Sequence, residues 1–265
     1  MAYFTEVKKL KILRFELLDR FENILHFSTT RIYADRNDFS MSFYINEKKE
    51  EITHKEILSG ALKINPDSFV FCRQTHSDNI VIINTQESDK GFYYKENAIS
   101  NTDGVISSVK NVCPVALSAD CVPVIMHDPV KKIVASVHSG WRGTAKQVVK
   151  KAIEKMQSEF CSDPKDIICC IGPSAGPCCY EVGEDVVQEF GLVYPDHKRF
   201  FSLNINGRYM ADLWMANKWL VMETGLEEKN IEIAEICTIC NNELFHSARF
   251  HKGDAGRMAT GIMML

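Results

Sequence analysis

Residues 121–138 read CVPVIMHDPVKKIVASVH, two apolar, β-branched runs on either side of an Asp-Pro turn. This pattern predicts a β-hairpin: Val and Ile suit a pleated surface, and Asp and Pro supply the turn. Neither run alternates cleanly between apolar and polar residues, so both faces of the strands should be covered, by helices or by another sheet. A symmetric loop from Asp128 to Lys131 would pair His127 with Lys132, Val124 with Ala135 and Cys121 with His138. Directly opposed residues share a face with Cβ atoms about 4.5–5.5 Å apart. That spacing suits two ligands of one metal ion, or a thiol and its base.

Outward from the hairpin, the runs SFVFCRQ, NIVIIN, DGVISS, VCPVALS, DIICCI and NIEIAEIC are short, apolar and bounded by Asn, Asp, Gly or Pro, and they read as further strands. Helical spacing appears in three places. Thr53 with Glu56 has the pattern of a capping box ahead of Ile57, Leu58, Ala61 and Leu62. Val148, Val149, Ala152, Ile153, Met156 and Phe160 form one apolar stripe in a helix expected to start at Thr144. Leu213, Ala216, Asn217, Leu220 and Val221 share a face of a helix expected over 210–224, with Gly225 as its left-handed stop. No linker, repeat or charge block divides the chain, so residues 1–265 are expected to form a single catalytic domain of mixed α/β class.

Composition narrows the partners. The chain has 31 basic and 35 acidic residues and a net charge of −4, which gives no electrostatic footprint for nucleic acid or a membrane surface. The N-terminal segment MAYFTEVKKLKILRFELLDRF has no long apolar block, so we expect neither a signal peptide nor a membrane span. The ten cysteines are too sparse for a disulfide scaffold. The expectation is a cytoplasmic monomer with reduced thiols that acts on small molecules.

A site needs more than Cys121 and His138. His76 lies in RQTHSDN, a polar turn between two strand-like runs, where its imidazole need not be buried. Two His and one Cys are a ligand set of catalytic zinc sites, with the fourth position left for water or substrate. Arg142, in SGWRG just ahead of the expected helix at Thr144, is a candidate anion clamp, since a helix N-terminus adds free N–H groups and partial positive charge. Arg73 is a second candidate.

At these residues the chain resembles a known family. RQTHSDNI, NTDGVIS, LSADCVPVIMHDP, ASVHSGWRGT, IGPSAGPCCYEVGEDV, GRYMADL, ICTIC and FHSARFHKGDAGRM follow in the order and spacing of the family long called multicopper polyphenol oxidases, or laccase-like proteins. That family is now better described as zinc-dependent purine nucleoside phosphorylases, with members linked to peptidoglycan editing. The resemblance runs from about His26 to the C-terminus. It implies a single-domain α/β/β/α sandwich with mixed sheets, and zinc held by His76, Cys121 and His138. It also implies phosphorolysis of adenosine, inosine and methylthioadenosine, with adenosine deamination as a side activity. Arg31 is retained as a substrate-side residue, but the family's Gly-Gly turn after it is replaced by IYADRNDFS, and Ser77 stands where a Gly is common.

Two other functions fit the same residues. Cys121 as nucleophile with His138 as base would make a cysteine hydrolase or amidase acting on cell-wall precursors. Copper is the alternative metal, held by the two His and the Cys with Met126 or another Met axial. Eight scattered His without an H-x-H pair argue against a multicopper cluster. The pairs Cys169-Cys170 and Cys178-Cys179 read as core packing, because neighbours on a strand point to opposite faces. Cys237 and Cys240 form a single C-x-x-C without a second knuckle. His246, His251, Arg249 and Arg257 lie in a Gly-containing tail that reads as a solvated surface, with a pocket rim as the alternative, and Trp214 and Trp219 read as helix packing.

Overall fold

The computed structural model describes residues 1–43, 49–85, 90–252 and 255–265. Two six-stranded mixed sheets carry the fold. In the first, the strands run in the order Tyr3–Val7, Leu10–Arg14, Ile24–Tyr33, Met258–Met264, Cys113–Ser118 and Phe69–Val70, antiparallel except for the last pair. In the second, the order is Ile231–Ile233, Ile168–Ile171, Val122–Asp128, Ile133–Ser139, Gly104–Ser107 and Ile80–Ile83, with parallel pairs at both edges.

Both faces of the second sheet are buried, as its unbroken apolar runs require. Val122, Val124, Met126, Ile133, Ala135 and Val137 face the helices Val148–Phe160, Glu184–Val193 and Leu213–Glu223. Ile125, Val134, Ile168 and Cys170 point the other way and pack with Leu13, Ile24, Ile262 and Met264 of the first sheet. Ser136 donates across the layer to the carbonyl of Thr260 at 3.0 Å. The first sheet's outer face is covered by Phe39, Met41 and the helix Lys49–Leu62, through Leu58 and Ala61. The layers are therefore helix, sheet, sheet, helix, the expected α/β/β/α sandwich.

Three helix boundaries differ from their sequence patterns. Thr53 lies inside Lys49–Leu62, so it does not cap it. The stripe from Val148 is buried as its spacing predicts, but the chain breaks before it, with Gln147 left-handed at φ 63°, leaving Trp141–Ala145 as a separate short helix. That break follows a pinned turn: the Thr144 hydroxyl donates to the Gly140 carbonyl at 3.1 Å, and Ser139 donates to Asn217 Oδ1 at 2.8 Å. The helix expected over 210–224 begins at Leu213, with the Asp212 carboxylate accepting from the Met215 N–H, because Tyr209–Ala211 is a strand. Gly225, at φ 96°, takes the left-handed position after its end.

Candidate functional site

The hairpin positions the site, in a register other than the symmetric one. The ladder runs from Val122 opposite Ser139 to Asp128 opposite Ile133, so His138 faces Pro123 rather than Cys121. The loop starts one residue later than the symmetric reading puts it because Asp128 stays in the strand. Its carboxylate accepts from the N–H groups of Val130 and Lys131, and Lys132 closes the turn at φ 57°. The slip moves each partner by two residues, which preserves the faces. Cys121 therefore still shares a side with His138, on the layer between the two sheets. Asp120, left-handed at φ 84°, turns the chain into Cys121. Its buried carboxylate accepts from the Thr238 hydroxyl at 2.7 Å, the Ser247 hydroxyl at 3.0 Å and the Arg249 N–H at 2.7 Å.

His76 arrives from a different strand end and is fixed by Asp103. The N–H groups of Thr75, His76 and Ser77 all donate to the Asp103 carboxylate at 2.8–3.1 Å, and the Ser77 hydroxyl adds a bond of 2.6 Å. His76 takes a left-handed conformation, φ 57°, within this turn. The same carboxylate meets His138 Nδ1 at 2.8 Å. With Nδ1 committed as donor, Nε2 of His138 is the nitrogen left for a ligand or a proton.

Ligand atoms of His76, Cys121 and His138 lie within 4.8 Å of one another. The His76 and His138 rings meet edge to face, 5.0 Å between centroids. A Cβ built on Gly140 would lie 2.6 Å from His76 Nδ1 and 3.0 Å from Cys121 Sγ, so only glycine leaves room for the three side chains to converge. Burial alone would raise the Cys121 thiol, but the His138 and His76 imidazoles outweigh it and bring it down to about 6. His138 is pulled down by burial and up, to about 9, by the Cys121 thiolate and Asp103. Asp103 is pushed up by burial and held at about 2 by His138 and Ser77. Two imidazoles and a low-pKa thiol converging on one point can hold a metal ion of borderline softness.

Met126 is not an axial partner. It is fully buried on the helix-facing side of its strand, opposite to the side that carries Cys121 and His138. Among the described residues, no other group containing His has metal-ligand geometry, so the His needed for coupled coppers are not gathered here.

A cavity of about 490 Å³ opens over the three residues, lined also by Arg73, Gln74, Phe43 and Arg257. Gln74 is locked by both amide atoms to the backbone of Leu117, at 2.7 Å each. Of Arg31, Arg73 and Arg142, the three arginines expected to bind substrate or phosphate, only Arg73 lines this cavity. Arg142 is exposed, its guanidinium 4.2 Å over the Trp141 ring, and it lines a separate depression with Asp185, Gln188 and Glu189. The helix that holds it, Trp141–Ala145, is five residues long and separate from the long helix Val148–Phe160. Arg31 is tied to the carbonyls of Asn37 and Asn242 and to His251 Nε2, and it lies outside the lining.

Arg257 is at the rim of the cavity, the alternative to a solvated tail, and its guanidinium donates to the carbonyls of Ala255 and Gly256. His246 is buried and bonded to the Phe39 carbonyl. Asp103 and Asp120 were not singled out by residue type. Their signal was position: each stands at the turn that enters a strand, inside a quoted motif. The C-x-x-C also changes meaning, because Cys178 and Cys179 lie in a turn rather than a strand, and their sulfurs meet those of Cys237 and Cys240. Cys169 and Cys170 do pack on opposite faces of their strand, as expected.

The chain is similar to several known proteins. A family model described as multi-copper polyphenol oxidoreductase laccase matches residues 26–265. A protein of Bacteroides thetaiotaomicron named purine nucleoside phosphorylase is 30% identical over 264 residues, 97% of each chain. A protein from an unknown prokaryotic organism, named adenosine deaminase, is 30% identical over 253 residues, covering 91% of this chain and 94% of that one. The crystal structure of YlmD from Geobacillus stearothermophilus superposes with a TM-score of 0.91 at 25% identity, over 100% of this chain and 99% of that one.

Proposed function

The chain belongs to the family described as multi-copper polyphenol oxidoreductase laccase, and from that membership we propose that it is a zinc-dependent purine nucleoside phosphorylase. Its substrates are adenosine, inosine and methylthioadenosine with inorganic phosphate, and adenosine deamination is a side activity. The whole of 1–265 acts as one catalytic domain. The observation that carries this reading is the convergence of His76, Cys121 and His138 within 4.8 Å of one another beneath a cavity of about 490 Å³, a size suited to a small-molecule ligand. Relatives named purine nucleoside phosphorylase and adenosine deaminase support the substrate class.

In this reading His76, Cys121 and His138 would hold the zinc, which would supply Lewis acidity when bound. Asp103 fixes the tautomer and orientation of His138 and braces the backbone of His76. Arg73 binds the phosphate, with Arg257, which lines the same cavity, as a second cation. A phosphate oxygen attacks C1′ of the ribose, the C1′–N9 bond breaks, and the purine leaves with its electron pair and takes up a proton. Gln74, held rigid by Leu117, keeps the wall in place.

One observation favours a second reading. Asp103, His138 and Cys121 form a linear acid, base and thiol series, with the thiol at about 6, which is the arrangement of a cysteine hydrolase or amidase. Copper in place of zinc remains the other metal to test. Metal analysis of the purified protein, followed by inosine turnover with and without phosphate, separates these readings. Zinc bound at the site and hypoxanthine released only with phosphate are expected. Turnover by metal-free protein with substrate trapped on Cys121 would replace the phosphorylase by the hydrolase.

A further inference from the structure

A second set of thiols meets away from the cavity. Ile168–Ile171 and Ile231–Ile233 are parallel neighbours at the edge of the second sheet, so the loops that follow them leave from the same end. Those loops stay together: Ser174 N–H donates to the Ile236 carbonyl at 3.2 Å, and Thr238 N–H to the Ser174 carbonyl at 3.0 Å. One loop carries Cys178 and Cys179, the other Cys237 and Cys240. The four sulfurs lie within 4.8 Å of one another, with Cys240 Sγ 3.5 Å from Cys178 Sγ and 3.3 Å from Cys179 Sγ. Adjacent cysteines can converge here because they occupy a tight turn, in which Cys179 and Tyr180 N–H groups both donate to the Gly176 carbonyl.

From this geometry we propose that Cys178, Cys179, Cys237 and Cys240 form a structural zinc site with four thiolate ligands, which fastens the 173–180 loop to the 236–247 loop. Zinc–sulfur bonds of about 2.3 Å in a tetrahedron put the sulfurs about 3.8 Å apart, inside the range found here. A disulfide needs its sulfurs about 2.05 Å apart and would engage only two of the four. Every cysteine in the structure is a free thiol. Cys237, the buried member, accepts from the Gly176 N–H at 3.3 Å, the amide-to-sulfur bond that supports a thiolate ligand. Four protein ligands fill the tetrahedron, so the site is closed to substrate.

The clasp stands behind the candidate active site. Thr238, between two of the cysteines, donates to Asp120 Oδ1, and Ala175 N–H donates to the Asp120 carbonyl at 2.9 Å. Asp120 is the residue that turns the chain into Cys121.

The test is metal content and cobalt spectroscopy on the full chain, purified anaerobically under reductant. About two zinc ions per chain are expected in the wild type, and about one in the double variant Cys178→Ser/Cys240→Ser. Cobalt loaded into Cys121→Ala should give the intense visible bands and the thiolate charge-transfer band of tetrahedral cobalt bound by four sulfurs. Those bands should vanish in Cys121→Ala/Cys240→Ser. If the serine variants do not fold, the cobalt spectrum of Cys121→Ala decides alone. One zinc that survives Cys121→Ala and is lost with Cys178 and Cys240 would support this site while removing the catalytic one. Zinc content unchanged by the cysteine pair, absence of the four-sulfur spectrum, or a disulfide among the four thiols under reductant would overturn it.

Discussion

Asp103 Oδ1 receives the Nδ1 proton of His138 at 2.8 Å while the same carboxylate gathers three consecutive backbone N–H groups around His76. One buried acid thus orients two of the three candidate ligands, which neither imidazole could do for itself. Asp103→Asn keeps the shape but replaces one acceptor oxygen by an NH2 group that faces donors. Zinc affinity should fall by about 10- to 100-fold, the usual effect of losing such a supporting bond. Competition with a chromophoric chelator measures it; wild-type affinity in the variant would mean that Asp103 does not hold the ligands. Asp103 also sets an acid limit. Its carboxyl is held at about 2, below its ordinary value, so the stability it contributes is present above about pH 4 and is lost as pH falls toward 2. Asp103→Asn should lack that part of the acid transition in metal-free protein.

Gly140 offers a steric test that leaves the backbone alone. Its φ of −70° and ψ of 172° are open to any residue, so alanine brings no conformational penalty. The new Cβ would instead fall 2.6 Å from His76 Nδ1 and 3.0 Å from Cys121 Sγ. Gly140→Ala should lose most bound metal and activity while its circular dichroism stays that of the wild type. Full metal content would show that His76 can withdraw without leaving the site.

The layers of this fold were legible because short, β-branched, both-face apolar runs such as VPVIM, bounded by turn residues, read as strands covered on two sides. Cys121 and His138 stood out because a hairpin brings its ends together whichever even register it takes. The register itself was not legible: the Asp128 carboxylate bonding its own loop decides it, and that bond competes with a symmetric loop of equal length. The start of the long helix behind Arg142 was hidden for a related reason. The stripe from Val148 was correctly periodic, but the break at Gln147 is set by the Ser139, Thr144 and Asn217 hydrogen bonds, which are tertiary. Arg257 and Asp120 depend on contacts with residues more than a hundred positions away, which no local pattern records.

Metal-free protein should reveal the thiolate. The Cys121 thiol lies at about 6, below its ordinary value, so the thiolate is present above that pH and is lost as pH falls through it. His138, raised to about 9, stays protonated until pH rises through that value. Between the two, the ion pair is the populated form. Iodoacetamide alkylation of Cys121, followed by peptide mass spectrometry, should therefore reach half its plateau rate near pH 6, and bound zinc should protect the thiol. A midpoint near 9 would mean that the pair does not form.

The two arginine positions make opposite demands on phosphate. Arg73 lines the cavity over His76, Cys121 and His138, whereas Arg142 stacks on Trp141 and faces the acidic Asp185 and Glu189. An anion would be disfavoured beside those carboxylates, so charge as well as distance argues for Arg73. Arg73→Lys preserves the charge but loses the planar fork that grips two phosphate oxygens together. Losing about 1.5–3 kcal/mol of charge-assisted hydrogen bonding corresponds to a fall of about 10- to 100-fold in phosphorolysis. Because the contact is to phosphate, the loss should appear in the phosphate dependence of inosine cleavage more than in the KM for inosine. Arg142→Lys should stay within about twofold of the wild type, as is usual for an exposed side chain that touches no substrate. Arg257→Lys is expected to resemble Arg73→Lys, with an added loss of stability, since its guanidinium also holds the carbonyls of Ala255 and Gly256. If Arg142→Lys alone weakened the phosphate dependence, the anion would have to enter from the Trp141 side, and the cavity over the three ligands would hold the nucleoside only.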